Sequence, residues 1–149
     1  MIAIDRIRIS GFRSIQSLKM PLGQTSVLIG SNNCGKTTVL KALQLALTDE
    51  LSVKRADFHR RADQSTVNEI KIDVRFVPVN DKGERLSYFE PLWAKALPAG
   101  IQSDHHRREY FAFRTRFTCN DAQQVIEKTR TLFTNWDREI LGQALDQSI

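Results

Sequence analysis

The densest chemistry in the chain lies in Gly30-Ser31-Asn32-Asn33-Cys34-Gly35-Lys36-Thr37, followed by Thr38. This stretch satisfies the pattern G-x-x-x-x-G-K-[ST] at every fixed position. Glycines let the backbone curl so that successive N–H groups converge on phosphate oxygens, an anion nest at a helix N-terminus. Lys36 is expected to reach the β- and γ-phosphates as a mobile point charge. The Thr37 hydroxyl is the expected magnesium ligand, and Thr38 the donor to an α-phosphate oxygen. Cys34 lends backbone to the cradle as a tolerated small residue. The chemistry expected here is the binding of a purine nucleoside triphosphate, ATP, with Mg2+.

Such a loop works between a strand and a helix, and the flanks offer both. Thr25-Ser26-Val27-Leu28-Ile29 is a short apolar run bounded by Gly23 and Gly30, as expected of a buried strand. After Gly35 the period changes: Val39, Leu40, Leu43, Ala46 and Leu47 fall at helical spacing, with Lys41 and Gln44 opposite. Leu45-Ala46-Leu47-Thr48-Asp49-Glu50 has the form of an apolar strand ending in two acids. It falls at the end of the helix, so it reads as a helix C-terminus with solvated acids that point away from the phosphates. P-loop enzymes take an acid from a separate strand to hold magnesium and orient water, and no other segment fits that part.

The remaining elements follow from periodicity. Ile2, Ile4, Ile7 and Ile9, interleaved with Asp5, Arg6 and Arg8, read as a strand with one buried face. Gly11-Phe12-Arg13-Ser14 breaks it, and residues 15–20 continue the sheet. Residues 51–65 read as polar loop with at most a helical turn. Ile70, Ile72, Val74 and Phe76 alternate with Lys71, Asp73 and Arg75 as a clear strand, ended by the turn cluster at residues 78–83. Residues 86–97 suit a short helix if Pro91 lies in its first turn. A second clear strand places Phe111, Phe113, Thr115 and Phe117 on one face, with Arg114 and Arg116 on the other. Residues 125–133 fit either a hairpin across residues 120–123 or a helix capped at Asn120, and the hairpin is favoured.

Composition bounds the class. The chain has 149 residues with 41% hydrophobic and 26% charged, which suits one globular domain. Its formal charge of +5 comes with basic clusters at Lys54-Arg55, His59-Arg60-Arg61 and His105-His106-Arg107-Arg108. These permit a nucleic-acid partner, but such runs are common solvated loops. Cys34 and Cys119 show no metal or disulfide spacing. Without an apolar N-terminal core or a membrane-length apolar run, the expected location is the cytoplasm, with no membrane partner.

Ile7 to Ser14 in the form Ile-x-Ile-x-Gly-Phe-Arg-Ser, then Leu28-Ile29-Gly30-x-Asn32-Asn33-x-Gly35-Lys36-Thr37, then Leu40 and Ala42-Leu43, resembles the N-terminus of ABC-type ATPases of the RecF and SMC group. Within that group it looks most like the OLD (overcoming lysogenization defect) ATP-dependent endonucleases. Asp57-Phe58-His59-Arg60, with a strand over residues 69–77 after it, is similar to the segment beyond the P-loop helix in many of them. The likeness covers residues 1–77. It implies an α/β P-loop NTPase fold: the N-terminal lobe of an ABC-type ATPase with an antiparallel β-rich flank. It also implies homodimerisation with ATP sandwiched between subunits, and a C-terminal Toprim domain that cuts DNA. Asn33, Lys36 and Thr37 carry over as nucleotide-site residues, and Arg13 as one that approaches the nucleotide. The alternative role of Arg13 is a surface charge after an edge strand.

The departures are also informative. The chain shows no Leu-Ser-x-Gly signature, no Walker B strand, no switch His after one and no Toprim acidic cluster. Residues 1–149 are therefore expected to be the N-terminal part of a larger ATPase domain, hydrolysing little or no ATP alone. DNA is the expected partner of the full-length protein, anti-phage defence its setting, and an accessory defence protein a further partner. The competing readings are a RecF/SMC-like DNA-repair ATPase without a nuclease, and a non-hydrolysing module in which ATP gates assembly.

Overall fold

The computed structural model describes residues 1–23, 36–49, 52–97 and 99–145, with Lys36 placed by its backbone. In order come β1 (Ile2–Phe12), β2 (Ile15–Pro21), α1 (Lys36–Leu47), β3 (Glu69–Pro78), α2 (Pro91–Ala96), β4 (Ile101–Ser103), β5 (Glu109–Asn120), β6 (Val125–Asn135) and β7 (Ile140–Ala144). A 3-10 turn at Arg55–Asp57 lies between α1 and β3. Among the described residues the strands form one seven-stranded sheet, β2-β1-β3-β5-β6-β7, with β4 paired to the start of β5. Every pairing is antiparallel.

The alternation in β3 and β5 becomes a continuous register from Glu69↔Thr118 to Phe76↔Phe111. Residues 125–133 belong to the hairpin strand β6, closed by the pair Asn120↔Val125. Asn120 builds the turn: its side chain accepts from the Ala122 N–H at 3.0 Å, and its carbonyl from the Gln123 and Gln124 N–H groups. In β1 the isoleucines change parity between Ile4 and Ile7, which a flat strand would send to opposite faces. A bulge at Asp5, where pairing to β3 skips from Ile4 to Arg6, restores the phase.

β1 runs through Gly11 to Phe12, beyond the break expected at the glycine, and turns only at Arg13 and Ser14. Gly11 sits at φ 74°, and a Cβ there would lie 2.3 Å from the Glu69 carbonyl oxygen. The close approach of β3, more than an interruption of the strand, is what the glycine serves.

α1 packs Val39, Ala42, Leu45 and Ala46 against Ile7, Ile9, Ile70, Ile72, Val74 and Phe117. The inner face differs from the expected one: Leu40 is 57% exposed and Leu47 46%. α1 is apolar around most of its circumference, so its period does not name the inner side. The small Ala42 and Ala46 bring it close to the sheet. The expected helix over residues 86–97 contracts to α2, with Pro91 in its first turn. Leu86 N–H is spent on the Pro78 carbonyl and the Ser87 carbonyl on the Glu109 N–H, which holds residues 86–87 extended.

The sheet face away from α1 corrects the reading of one buried face. Asp73 is 2% exposed there. It accepts from Arg114 Nε at 2.7 Å and Nη2 at 3.0 Å, and from Arg8 Nε at 3.0 Å. Trp136 lies over the Arg8 guanidinium, 3.5 Å from its ring centroid, and its carbonyl accepts from Arg8 Nη1. Glu139 completes the group, 3.5 Å from Arg114 and 4.0 Å from Arg8. Burial alone would lower the Arg114 pKa, but the hydrogen bonds and charge of Asp73 outweigh it and hold it above the ordinary arginine value. At Arg8 burial prevails over the same acids, and its pKa is lowered. Farther along, Val77, Tyr110, Ala112, Phe133 and Trp136 form an apolar cluster, in which the Trp136 N–H donates to the buried Tyr110 hydroxyl.

Candidate nucleotide-binding site

α1 spans Lys36–Leu47, so Lys36 and Thr37 of the motif lie on a helix, as the motif requires. Its first turn contains no acidic residue. Thr37 is exposed, Thr38 half-buried and Val39 buried, so the turn offers a hydroxyl outward while anchoring itself inward. The first N–H groups of a helix lack intrahelical partners and carry the positive end of its dipole. With no acidic residue in that turn, this donor set fits a phosphate-bearing ligand. Gly30, Asn32, Asn33, Cys34 and Gly35, and the strand expected at residues 25–29, lie outside the described residues, as does the Lys36 side chain.

The opposite end of α1 is held by two residues that no sequence motif marks. Lys128 Nζ donates to the carbonyls of Leu45 at 3.0 Å and Thr48 at 2.7 Å. Arg130 Nη2 donates to the same Thr48 carbonyl, and its Nη1 lies 3.5 Å from Asp49 Oδ1. Both cations are buried. They meet the negative end of the helix dipole and the orphaned carbonyls of the last turn. Asp49 is exposed as expected of a solvated acid, yet it also faces Arg130; Glu50 lies outside the described residues. One signal was available: Lys128 and Arg130 share strand parity with the apolar Ile126 and Leu132. A twelve-residue helix is about 18 Å long, so this clamp grips the end remote from Lys36.

Arg13 belongs to a second cluster. Its N–H donates to the Asp57 carbonyl at 2.7 Å and its Nε to Asp57 Oδ1 at 3.0 Å. The Arg13 carbonyl lies 2.8 Å from His59 Nδ1, and the His59 N–H donates to the Gly11 carbonyl. Phe12 bridges to Phe58. The Gly-Phe-Arg and Asp-Phe-His segments, remote in sequence, are thus one structural unit. β1 lies between β2 and β3, so Arg13 follows an inner strand, with its side chain partly exposed beside Asp57. Among the described residues, no helix is long and apolar enough to cross a membrane.

Relatives place this architecture. The chain is 32% identical over 85 residues to an OLD nuclease of Thermus scotoductus, a match covering 54% of this chain and 16% of that protein. It is 38% identical over 58 residues to the achromobactin transport ATP-binding protein CbrD of Dickeya dadantii, covering 37% of this chain and 22% of the relative. The matches therefore span about a fifth or less of these relatives' own lengths. A solved structure described under ATP-driven dimerization and DNA-stimulated activation of SMC ATPases superposes with a TM-score of 0.60 at 14% identity, covering 97% of this chain and 73% of that one. That likeness establishes the fold, a P-loop NTPase type with an antiparallel-rich sheet and few helices. The family model described as AAA ATPase domain matches residues 2–145, and on that match the chain belongs to the AAA ATPase domain family.

Proposed function

We propose that this chain binds ATP with Mg2+ through residues 30–37, as the N-terminal part of the ATPase domain of a larger OLD-type enzyme. The observation that carries the reading is that Lys36, Thr37 and Thr38, the last residues of the motif and the one after it, lie on α1 in a turn without acidic residues. Family membership implies nucleotide binding, which agrees with it. Gly30, Asn32, Asn33, Cys34 and Gly35 supply cradle backbone, Lys36 a cation for the terminal phosphates, and Thr38 a donor to the α-phosphate. Arg13 approaches the nucleotide while Asp57 orients it. The Thr37 hydroxyl holds the metal, whose charge neutralises the phosphates.

The remaining machinery lies in sequence beyond residue 149: a Walker B carboxylate, a signature motif and a Toprim nuclease domain. The exposed apolar stripe of Leu40 and Leu47 on α1 supports further polypeptide packing there. In this reading ATP is sandwiched between two copies, and the full-length cytoplasmic enzyme acts on DNA in anti-phage defence, with an accessory defence protein as a further partner. The 149-residue chain alone hydrolyses little or no ATP.

The test is titration of the purified chain with Mg-ATP against Lys36→Ala, following heat and oligomeric mass together. Saturable binding that the substitution removes supports the P-loop reading, and a mass doubling with ATP supports the sandwich. Binding of equal strength in both chains would refute it.

A further inference from the structure

The sheet face remote from α1 carries two rows of polar side chains running across the strands. One row is Ser17, Ser10, Lys71 and Arg116; the next is Lys19, Arg8, Asp73 and Arg114. Rows two residues apart along a strand lie about 7 Å from each other. Between them opens a cavity of about 220 Å³, lined by residues of both rows and by Glu139.

The charge in this cavity is unbalanced. Four cations line it, Arg8, Lys19, Lys71 and Arg114, against the carboxylates of Asp73 and Glu139. Both carboxylates are already engaged by the two arginines. Lys19 is exposed and has no ion-pair partner among the described residues. The Lys71 ammonium is 3.8 Å from Glu69, an acid that lies closer to Arg116 at 3.2 Å. Arg8 Nη2 is buried without a hydrogen-bond partner among the described residues. Burial lowers the Arg8 pKa, outweighing the two acids beside it, and the Arg114 charge acts in the same direction. The cavity thus combines two under-used ammonium groups, the hydroxyls of Ser10 and Ser17, and a floor in which the Arg8 and Arg114 charges are balanced by Asp73 and Glu139.

We propose that this cavity is a binding site for a phosphate group, held by Lys19, Lys71, Ser10 and Ser17 over Arg8. Lysines act on phosphate as point charges without the planar match that a carboxylate draws from arginine, and the hydroxyls add donors to the remaining oxygens. The group is either free phosphate or the phosphodiester of a nucleic-acid strand lying along the rows. None of residues 30–37 lines the cavity, and the proposal does not rest on the nucleotide reading.

Because residues 30–37 are themselves expected to take phosphate, the experiment uses the Lys36→Ala chain. Inorganic phosphate is titrated calorimetrically into that chain, into the same chain carrying Lys19→Gln and Lys71→Gln, and into one carrying Ser10→Ala and Ser17→Ala. The expected result is saturable one-site binding, weakened about tenfold or more by the lysine pair and less by the serine pair. Lys19 is exposed and Lys71 partly exposed, so the melting temperature should hold and show that the fold is intact. A single-stranded oligonucleotide that displaces the phosphate, and is itself weakened by the lysine substitutions, assigns the site to a nucleic-acid backbone. An oligonucleotide that leaves phosphate bound assigns it to the free ion. No saturable phosphate binding to Lys36→Ala, or equal affinity with and without the lysine pair, overturns the proposal.

Discussion

Replacing Asp73 with Asn should destabilise the protein by about 3 kcal/mol, towards the lower end of the range for breaking a buried ion pair from one side. That magnitude comes from the contacts. The carboxylate accepts three hydrogen bonds from two guanidinium groups, and its side chain is 3% exposed. The amide keeps the shape but loses the charge, and it turns a donor toward one arginine nitrogen. The cations of Arg8 and Arg114 would then face each other across β3. The loss is moderated because Arg8 keeps the Trp136 carbonyl and both arginines keep Glu139. For a chain of this size 1 kcal/mol corresponds to roughly 2–4 °C, so the melting temperature should fall by about 6–12 °C. Urea unfolding of wild type, Asp73→Asn, Arg114→Met and the double variant supplies both the cost and the coupling. The double variant should be less destabilised than the sum, because Arg114→Met removes one of the orphaned charges. A loss below about 1 kcal/mol, or additive behaviour, would refute the claim that Asp73 is what makes the buried arginines tolerable.

Three further outcomes are expected. Gly11→Ala should cost about 2 kcal/mol or more by chemical denaturation, since it adds the strain of a left-handed φ to a Cβ placed 2.3 Å from the Glu69 carbonyl oxygen; a neutral result would mean that β1 and β3 part easily. Lys128→Met should cost about 1–3 kcal/mol, because it leaves the α1 carbonyls of Leu45 and Thr48 short of a buried donor, and an unchanged unfolding midpoint would dismiss the clamp. The third concerns acid. Burial would raise the carboxyls of Glu139 and Asp104. Arg8 and Arg114 at the first, and the N–H groups of Arg108 and His106 at the second, hold both below their ordinary values of 4.5 and 3.8. A depressed native pKa contributes stability that is complete above the ordinary value and is lost as pH falls through the native one. The contribution of these two acids should therefore stay level from neutral pH down to the ordinary carboxylate range and decline below it, and Glu139→Gln should make that acid decline shallower in melting curves against pH.

Much of the candidate site was legible in the residues. A helical period after Gly35 predicts a helix, and α1 spans Lys36–Leu47. The clamp at its other end was less legible, because Lys128 and Arg130 look like ordinary charged strand residues until α1 is laid over them. Their partners lie 80 or more positions earlier in the chain. A separation of 44 positions likewise hid the pairing of Arg13 with Asp57.

Local backbone geometry is the part of this protein that its residues encode directly: the helical period of α1, the alternation of β3 and β5, and the Asn120 turn that makes β6 a hairpin partner. Periods of two and 3.6 report how a segment is built, and turn residues report where it reverses. The inward side of α1 was settled only when the chain assembled, since an all-round apolar helix has no preferred face until the sheet supplies one. Assembly also buried Arg8, Asp73 and Arg114 on a face that alternation assigns to water. Each of those charges would be costly alone and becomes tolerable only where antiparallel pairing sets all three side by side on adjacent strands.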